Sequence, residues 1–129
     1  MEPSSGSLRI LIIEDSHDFV YLLRSLFESM GHQCIAAYDG MKGIHLARET
    51  KPDVIFCDIG LPKMNGFEVA KAIKAEDSLK DICLVALTGY TGQRNLDHAA
   101  DAGFNYHLAK PAGMAELSNI LDMIRNRSH

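Results

Sequence analysis

The feature that most constrains this chain is an alternation. Five short apolar runs are interleaved with, and followed by, five amphipathic stretches. The runs are Leu8 to Ile13, Gln33 to Ala37, Val54 to Cys57, Ile82 to Leu87 and Tyr106 to Ala109. Several are continuous in apolar character rather than alternating, as expected of parallel strands covered on both faces. Between the first two runs, Phe19, Leu22, Leu23, Leu26, Phe27 and Met30 fall at helical spacing, and Gly31 supplies a stop. Ser16 is placed to cap that helix, with Asp18 favourable in its first turn. Met41 to Glu49 reads as a second, shorter helix after Gly40. Asn65 with Glu68 gives a cap-like start to a third, which turns Phe67, Ala70 and Ile73 inward. A fourth spans about Thr91 to Ala102 and stops at Gly103. Its inward face is thin, with Leu96, Ala99 and Ala100. The fifth carries Met114, Leu117, Ile120, Leu121 and Ile124 inward.

This pattern predicts an α/β fold: a doubly wound, five-stranded parallel sheet with five helices. Right-handed crossovers leave few topologies, and the flavodoxin-like order 2-1-3-4-5 is the natural one. That order puts a ligand crevice at the carboxyl ends of the first and third strands. A chain of 129 residues fits one compact domain. We place it at residues 8–126, between a flexible lead-in (1–7) and a short tail (127–129). The chain is 47% hydrophobic, enough to build a core, and no internal repeat is seen.

Charge narrows the partners. A net charge of -4 without any basic run argues against gripping a nucleic-acid backbone, which needs clustered Lys and Arg. No apolar stretch is long enough to span a membrane, and the lead-in lacks the charged and apolar regions of a signal peptide. The cysteines Cys34, Cys57 and Cys83 lie in apolar runs with no CxxC spacing, so buried, reduced thiols in a cytoplasmic protein are expected. The six histidines are scattered and make no zinc pattern.

The chemistry lies at the carboxyl ends of the strands. The first ends in Glu14 and Asp15, the third in Asp58, the fourth in Thr88, and the fifth in Lys110 and Pro111. The fold brings all of these to one rim. Carboxylates that close repel one another and raise each other's pKa, which a divalent cation relieves. Oxygen ligands of this number suit Mg2+. Lys110 is a compact cation for a phosphoryl group, and Thr88 offers a hydroxyl donor. A carboxylate nucleophile, a metal, a cation and a donor are what phosphoryl transfer to an aspartate needs. Each group taken singly is as well read as a strand-end cap or a structural ion pair. The full set, one at each of four strand ends, is what points to chemistry.

The segments Ile-Ile-Glu14-Asp15, Phe-Cys-Asp58-Ile-Gly-Leu-Pro62-Lys-Met-Asn-Gly66, Leu-Thr88-Gly-Tyr and His107-Leu-Ala-Lys110-Pro111 resemble a response-regulator receiver domain, over about Leu8 to Arg125. The resemblance implies that Asp58 accepts a phosphoryl group from a histidine kinase or a histidine phosphotransfer domain. It implies Mg2+ ligation by Asp58, directly by Asp15, through water by Glu14, and by the backbone carbonyl of Gly60. Thr88 and Lys110 would bind phosphoryl oxygens, and the peptide before Pro111 would be cis. It implies a signalling domain, not an enzyme beyond its own phosphorylation and dephosphorylation. It also allows a homodimer through the fourth and fifth helices. The chain ends about where the fifth helix should, so no DNA-binding segment is expected after it.

There are departures from the family pattern. Glu14 stands where Asp is common, and Leu61 where Met is frequent. The switch position holds His107, preceded by Tyr106, where Tyr or Phe is usual. Tyr-His-Leu-Ala-Lys-Pro and Leu-Thr-Gly-Tyr look more like receivers of hybrid sensor kinases. We read His107 either as a passive, partly buried residue or as a group that titrates near neutral pH and biases the switch. Phosphorylation would draw Thr88 toward the phosphoryl group, and the thinly anchored fourth helix would move.

Three competing readings remain in view. A haloacid-dehalogenase-type enzyme also uses an Asp at a strand end but needs a second Asp two residues on, where this chain has Gly60. A nucleotide- or flavin-binding module lacks support from any GxGxxG or GxxxxGK[ST]. A receiver that binds partners without being phosphorylated is disfavoured by the presence of the acidic pair, Asp58, Thr88 and Lys110.

Overall fold

The computed structural model describes residues 7–89, 93–110 and 113–127, with 93–96 and 127 described by their backbone alone. Each apolar run forms a strand: β1 (Arg9–Ile13), β2 (Gln33–Ala37), β3 (Val54–Asp58), β4 (Cys83–Thr88) and β5 (Tyr106–Ala109). The helices between and after them are α1 (His17–Ser29), α2 (Gly40–Thr50), α3 (Gly66–Ala75), α4 (Gln93–Ala102) and α5 (Met114–Arg127). The strands are all parallel, in the order β2-β1-β3-β4-β5. Every residue of β3 and β4 is buried, which is why those runs read as continuously apolar rather than alternating.

Side chains that alternate along each strand feed two cores. On one face Ile10, Ile12, Phe56, Val85 and Leu87 pack beneath α1 and α5, against Val20, Leu23, Phe27, Leu117 and Ile120. On the other, Leu11, Ile13, Ile55, Cys57 and Leu84 pack beneath α2, α3 and α4, against Ile44, Ala47, Val69 and Ile73. Each such side chain contributes roughly 1.5–3 kcal/mol by leaving water. The three cysteines are buried and in no disulfide, and burial pushes the Cys34 thiol up to about 12. Among the described residues no helix is long and apolar enough to cross a membrane.

The helix ends follow the local chemistry. Ser16 caps α1 by accepting the Phe19 N–H, and Asn65 with Glu68 forms a reciprocal capping box on α3. Gly31 ends α1 in the left-handed region, at φ +90°. The margins of the apolar stripes differ from expectation. Leu22 and Met114 are exposed, while Val20 takes an inward place on α1. Phe67 is only half-buried, and Val69 fills the core in α3. On α4, Ala100 is exposed and Ala102 is buried instead. The side chain of Leu96 lies outside the described residues. Helical spacing fixes the centre of a stripe well. Residues at its edge or in an end turn are decided by where the neighbouring elements stop.

Candidate functional site

Parallel strands end at the same rim, and the register aligns their ends. Ile13 pairs with Cys57, Asp58 with Leu87, and Thr88 with Ala109. Glu14 and Asp15 follow β1, Asp58 closes β3, Thr88 closes β4, and Lys110 follows β5. The fold therefore puts these five residues on one rim and gathers Glu14, Asp15, Asp58 and Lys110 into one cluster. Glu14, Asp15 and Asp58 each offer a carboxylate oxygen within 4.8 Å of the others. Their surroundings differ: Glu14 is 1% exposed and Asp58 7%, while Asp15 faces solvent.

Lys110 ties the group together. Its ammonium stands 2.6 Å from Glu14 Oε1 and 3.3 Å from Asp58 Oδ2. It also lies over the Phe19 ring, 5.1 Å from the centroid. Backbone donors hold the carboxylates from the other side. Ser16 N–H donates to Glu14 Oε2 at 3.0 Å, and Gly60 N–H to Asp58 Oδ1 at 2.9 Å. Gly66 lets the start of α3 crowd the strand that carries Asp58. A Cβ there would meet the Asp58 carbonyl oxygen at 2.5 Å. The Thr88 hydroxyl is fully buried and donates to the Leu108 carbonyl at a long 3.4 Å.

One lysine does not balance this site. Burial raises the pKa of Glu14 above the ordinary carboxylate range and Asp58 adds repulsion, outweighing the pull of Lys110 and the Ser16 N–H. Lys110 is itself held above its ordinary value. Burial alone would lower it, but the neighbouring Glu14 and Asp58 carboxylates dominate. Glu14 Oε1 is paired with the ammonium at 2.6 Å, and among the described residues this buried oxygen has no further partner. Three carboxylate oxygens gathered beside Lys110, two of them on buried residues, fit a hard divalent cation such as Mg2+.

The switch candidates lie at the start of β5, where Tyr106 pairs with Val85 and His107 with Ala86. Strand alternation turns Tyr106 and Leu108 toward the α1/α5 core and His107 to the opposite face, next to Ala99 and Ala100 of α4. His107 is exposed, which corrects the expectation of a partly buried residue. β5 is an edge strand, and the two alanines are too small to cover it. Pro111, expected to follow a cis peptide, lies outside the described residues. Two contacts at the site carried no signal in the sequence: the Ser16 N–H on Glu14 and the Phe19 ring beside Lys110. Both arise from the turn between β1 and α1, and only the path of the backbone reveals them.

This geometry agrees with known proteins. The family model for the response regulator receiver domain matches residues 10–122. The polar-differentiation response regulator DivK of Brucella anthropi is 33% identical over 102 residues, covering 79% of this chain and 83% of the relative. The chemotaxis protein CheY4 of Vibrio cholerae superposes with a TM-score of 0.86 at 25% identity, over 90% of this chain and 97% of that one. The receiver domain of a Pseudomonas aeruginosa sensor histidine kinase, solved with magnesium coordinated in its active-site cleft, gives a TM-score of 0.84 at 28% identity. That match covers 91% of this chain and 96% of the other. A family match over nearly the whole chain, joined to a flavodoxin-like sheet whose strand ends gather three carboxylates and a lysine, places this chain in the response regulator receiver domain family of two-component signalling.

Proposed function

We propose that Asp58 takes a phosphoryl group from a phosphohistidine on a histidine kinase or a histidine phosphotransfer domain, in the cytoplasm, with residues 8–126 acting as one phosphorylation-controlled unit. The observation that carries this reading is the cluster itself: Asp58 buried at 7% exposure, with Lys110 at 3.3 Å and two further carboxylates within 4.8 Å. A nucleophilic carboxylate in that setting needs its charge offset before it can approach an anionic phosphoryl group.

An Asp58 oxygen attacks phosphorus while the phosphorus–nitrogen bond breaks, and its electron pair returns to the donor imidazole. The Gly60 N–H on Oδ1 holds the carboxylate in place. Glu14, Asp15, Asp58 and the Gly60 carbonyl would hold Mg2+, which when bound neutralises charge on the phosphoryl oxygens. Lys110 would move from the carboxylates onto a phosphoryl oxygen, and Thr88 would donate its hydroxyl to another. Its bond to Leu108 is long, so little is lost when it turns. That turn would relax the carboxyl end of β5 against α4, whose described buried side chains are Ala99 and Ala102. Tyr106 and His107 would report the change on either face of the strand. Self-catalysed phosphorylation from a small donor and slow hydrolysis would follow from the same groups.

The test is intact mass after incubation with Mg2+ and acetyl phosphate. One added phosphoryl group is expected, absent in Asp58→Asn and absent without Mg2+. An adduct that persists in Asp58→Asn would overturn the assignment.

A further inference from the structure

We propose that Phe19 is a positioning residue for Lys110: the face of its ring seats the ammonium beside Asp58 and so governs how readily that lysine receives a phosphoryl oxygen. The inference rests on the reading of Asp58 as phosphoacceptor and Lys110 as its cation.

Three groups surround the ammonium. Glu14 Oε1 stands at 2.6 Å, Asp58 Oδ2 at 3.3 Å, and the Phe19 centroid at 5.1 Å. The last distance is within the range where the negative face of an aromatic ring attracts a cation. The ring is not free to drift. Phe19 is half-buried and packs against the α1/α5 core. Its N–H donates to the Ser16 hydroxyl at 3.2 Å, and the Ser16 N–H donates to Glu14 at 3.0 Å. One short turn thus orients two of the lysine's three contacts.

The ring differs from the two carboxylates in how it behaves through the reaction. When Asp58 becomes an acyl phosphate the negative charge moves from its carboxylate to the phosphoryl oxygens, and Lys110 must leave Glu14 to reach them. The ring carries no charge that the reaction alters, so its attraction persists from start to finish. It also does not compete with the phosphoryl group for the ammonium, as a further carboxylate would. A lysine side chain has many rotamers, and a fixed wall removes most of them without binding the head group tightly.

If Phe19 were only core filling, any apolar side chain of similar size would serve. The experiment uses the metal-free full chain labelled with 13C at lysine Cε, with the Lys110 signal assigned by Lys110→Arg. The Lys110 Hε resonance is expected to be displaced upfield by the ring in wild type and in Phe19→Tyr. It should return to the position of the other lysines in Phe19→Leu. With Mg2+ and acetyl phosphate, Phe19→Leu is expected to phosphorylate roughly two- to fivefold more slowly, because a lysine no longer confined by the ring must be ordered during the reaction, and Phe19→Tyr to recover the wild-type rate. If Phe19→Leu does not fold, Phe19→Met repeats both measurements. An undisplaced Lys110 signal in wild type, or a ringless variant phosphorylated at the wild-type rate, overturns the proposal. A displaced signal in a wild-type chain that takes up no phosphoryl group instead overturns the phosphoacceptor reading, and the rate effect with it.

Discussion

The two ends of the sheet handle polar groups in opposite ways. At the amino end His32 is buried, and its Nδ1 accepts the Leu8 N–H at 3.0 Å. Beside it, Asp53 Oδ2 accepts the Arg9 N–H at 2.8 Å, and the Asp53 N–H returns to the Arg9 carbonyl at 2.9 Å. These acceptors are used to pin the entry of β1 against its neighbours. At the carboxyl end, the buried Glu14 and Asp58 share Lys110, and among the described residues Glu14 Oε1 has no partner besides that ammonium. Polar groups satisfied by their neighbours belong to the architecture. Buried charges that outnumber their counter-charges cost stability and mark a place prepared for a ligand.

The comparison breaks most visibly at Lys110. Lys110→Ala removes the ammonium that pairs with both Glu14 and Asp58, and urea denaturation of the metal-free protein should show a loss of about 1–3 kcal/mol. That is less than for a fully buried pair, because Lys110 is partly exposed. Saturating Mg2+ should recover part of the loss, since it binds the folded state alone. A variant as stable as wild type without metal would mean that the rim is not electrostatically strained.

At the other end, His32→Leu leaves the Leu8 N–H without its acceptor and should cost about 1–3 kcal/mol, with phosphorylation by acetyl phosphate unchanged. Burial, with a smaller contribution from Arg125, lowers the pKa of His32 in the folded chain. The unfolded chain therefore takes up this proton at higher pH. Wild-type stability should be full above about pH 6.5 and fall as the pH drops toward and through the folded value. That part of the acid slope should vanish in His32→Leu. A slope unchanged by the substitution would assign it to other groups.

Glu14→Gln sharpens the contrast with a gain. The raised pKa means that Glu14 favours the metal-free fold when protonated and loses that benefit as the pH climbs through its folded value. At neutral pH the glutamine variant should therefore be more stable without metal, by about 1 kcal/mol, and lose stabilisation by Mg2+. Equal melting of the two proteins across pH would contradict it. The smallest effect is expected at Asp53→Ala. Its bond to Arg9 is exposed to water, so the loss should stay within about 1 kcal/mol, with Mg2+ binding intact.

Much of this was legible in the chain. The runs at Gln33–Ala37 and Tyr106–Ala109 became strands with the expected bounds, because apolar continuity and flanking turn residues are local signals. Ser16 and the Asn65/Glu68 pair were legible as caps for the same reason. Asp58, Thr88 and Lys110 stood out because polar residues closing apolar strands are rare without a cause. Less was legible at the margins. Leu22 and Met114 read as core but face solvent, and His107 is exposed on an edge strand, beside Ala99 and Ala100 of α4.

The sequence by itself determined the alternation of strand and helix, the helix starts, and which residues stand at the strand ends, since each depends on neighbours a few positions away. Tertiary structure alone decided that Glu14 is buried while Asp15 is not, that Lys110 reaches Glu14 and Asp58 together, and that the ring of Phe19 closes its third side. Those facts depend on distances between β1, β3 and β5, which are far apart in the chain and meet only when the sheet is packed between its helices.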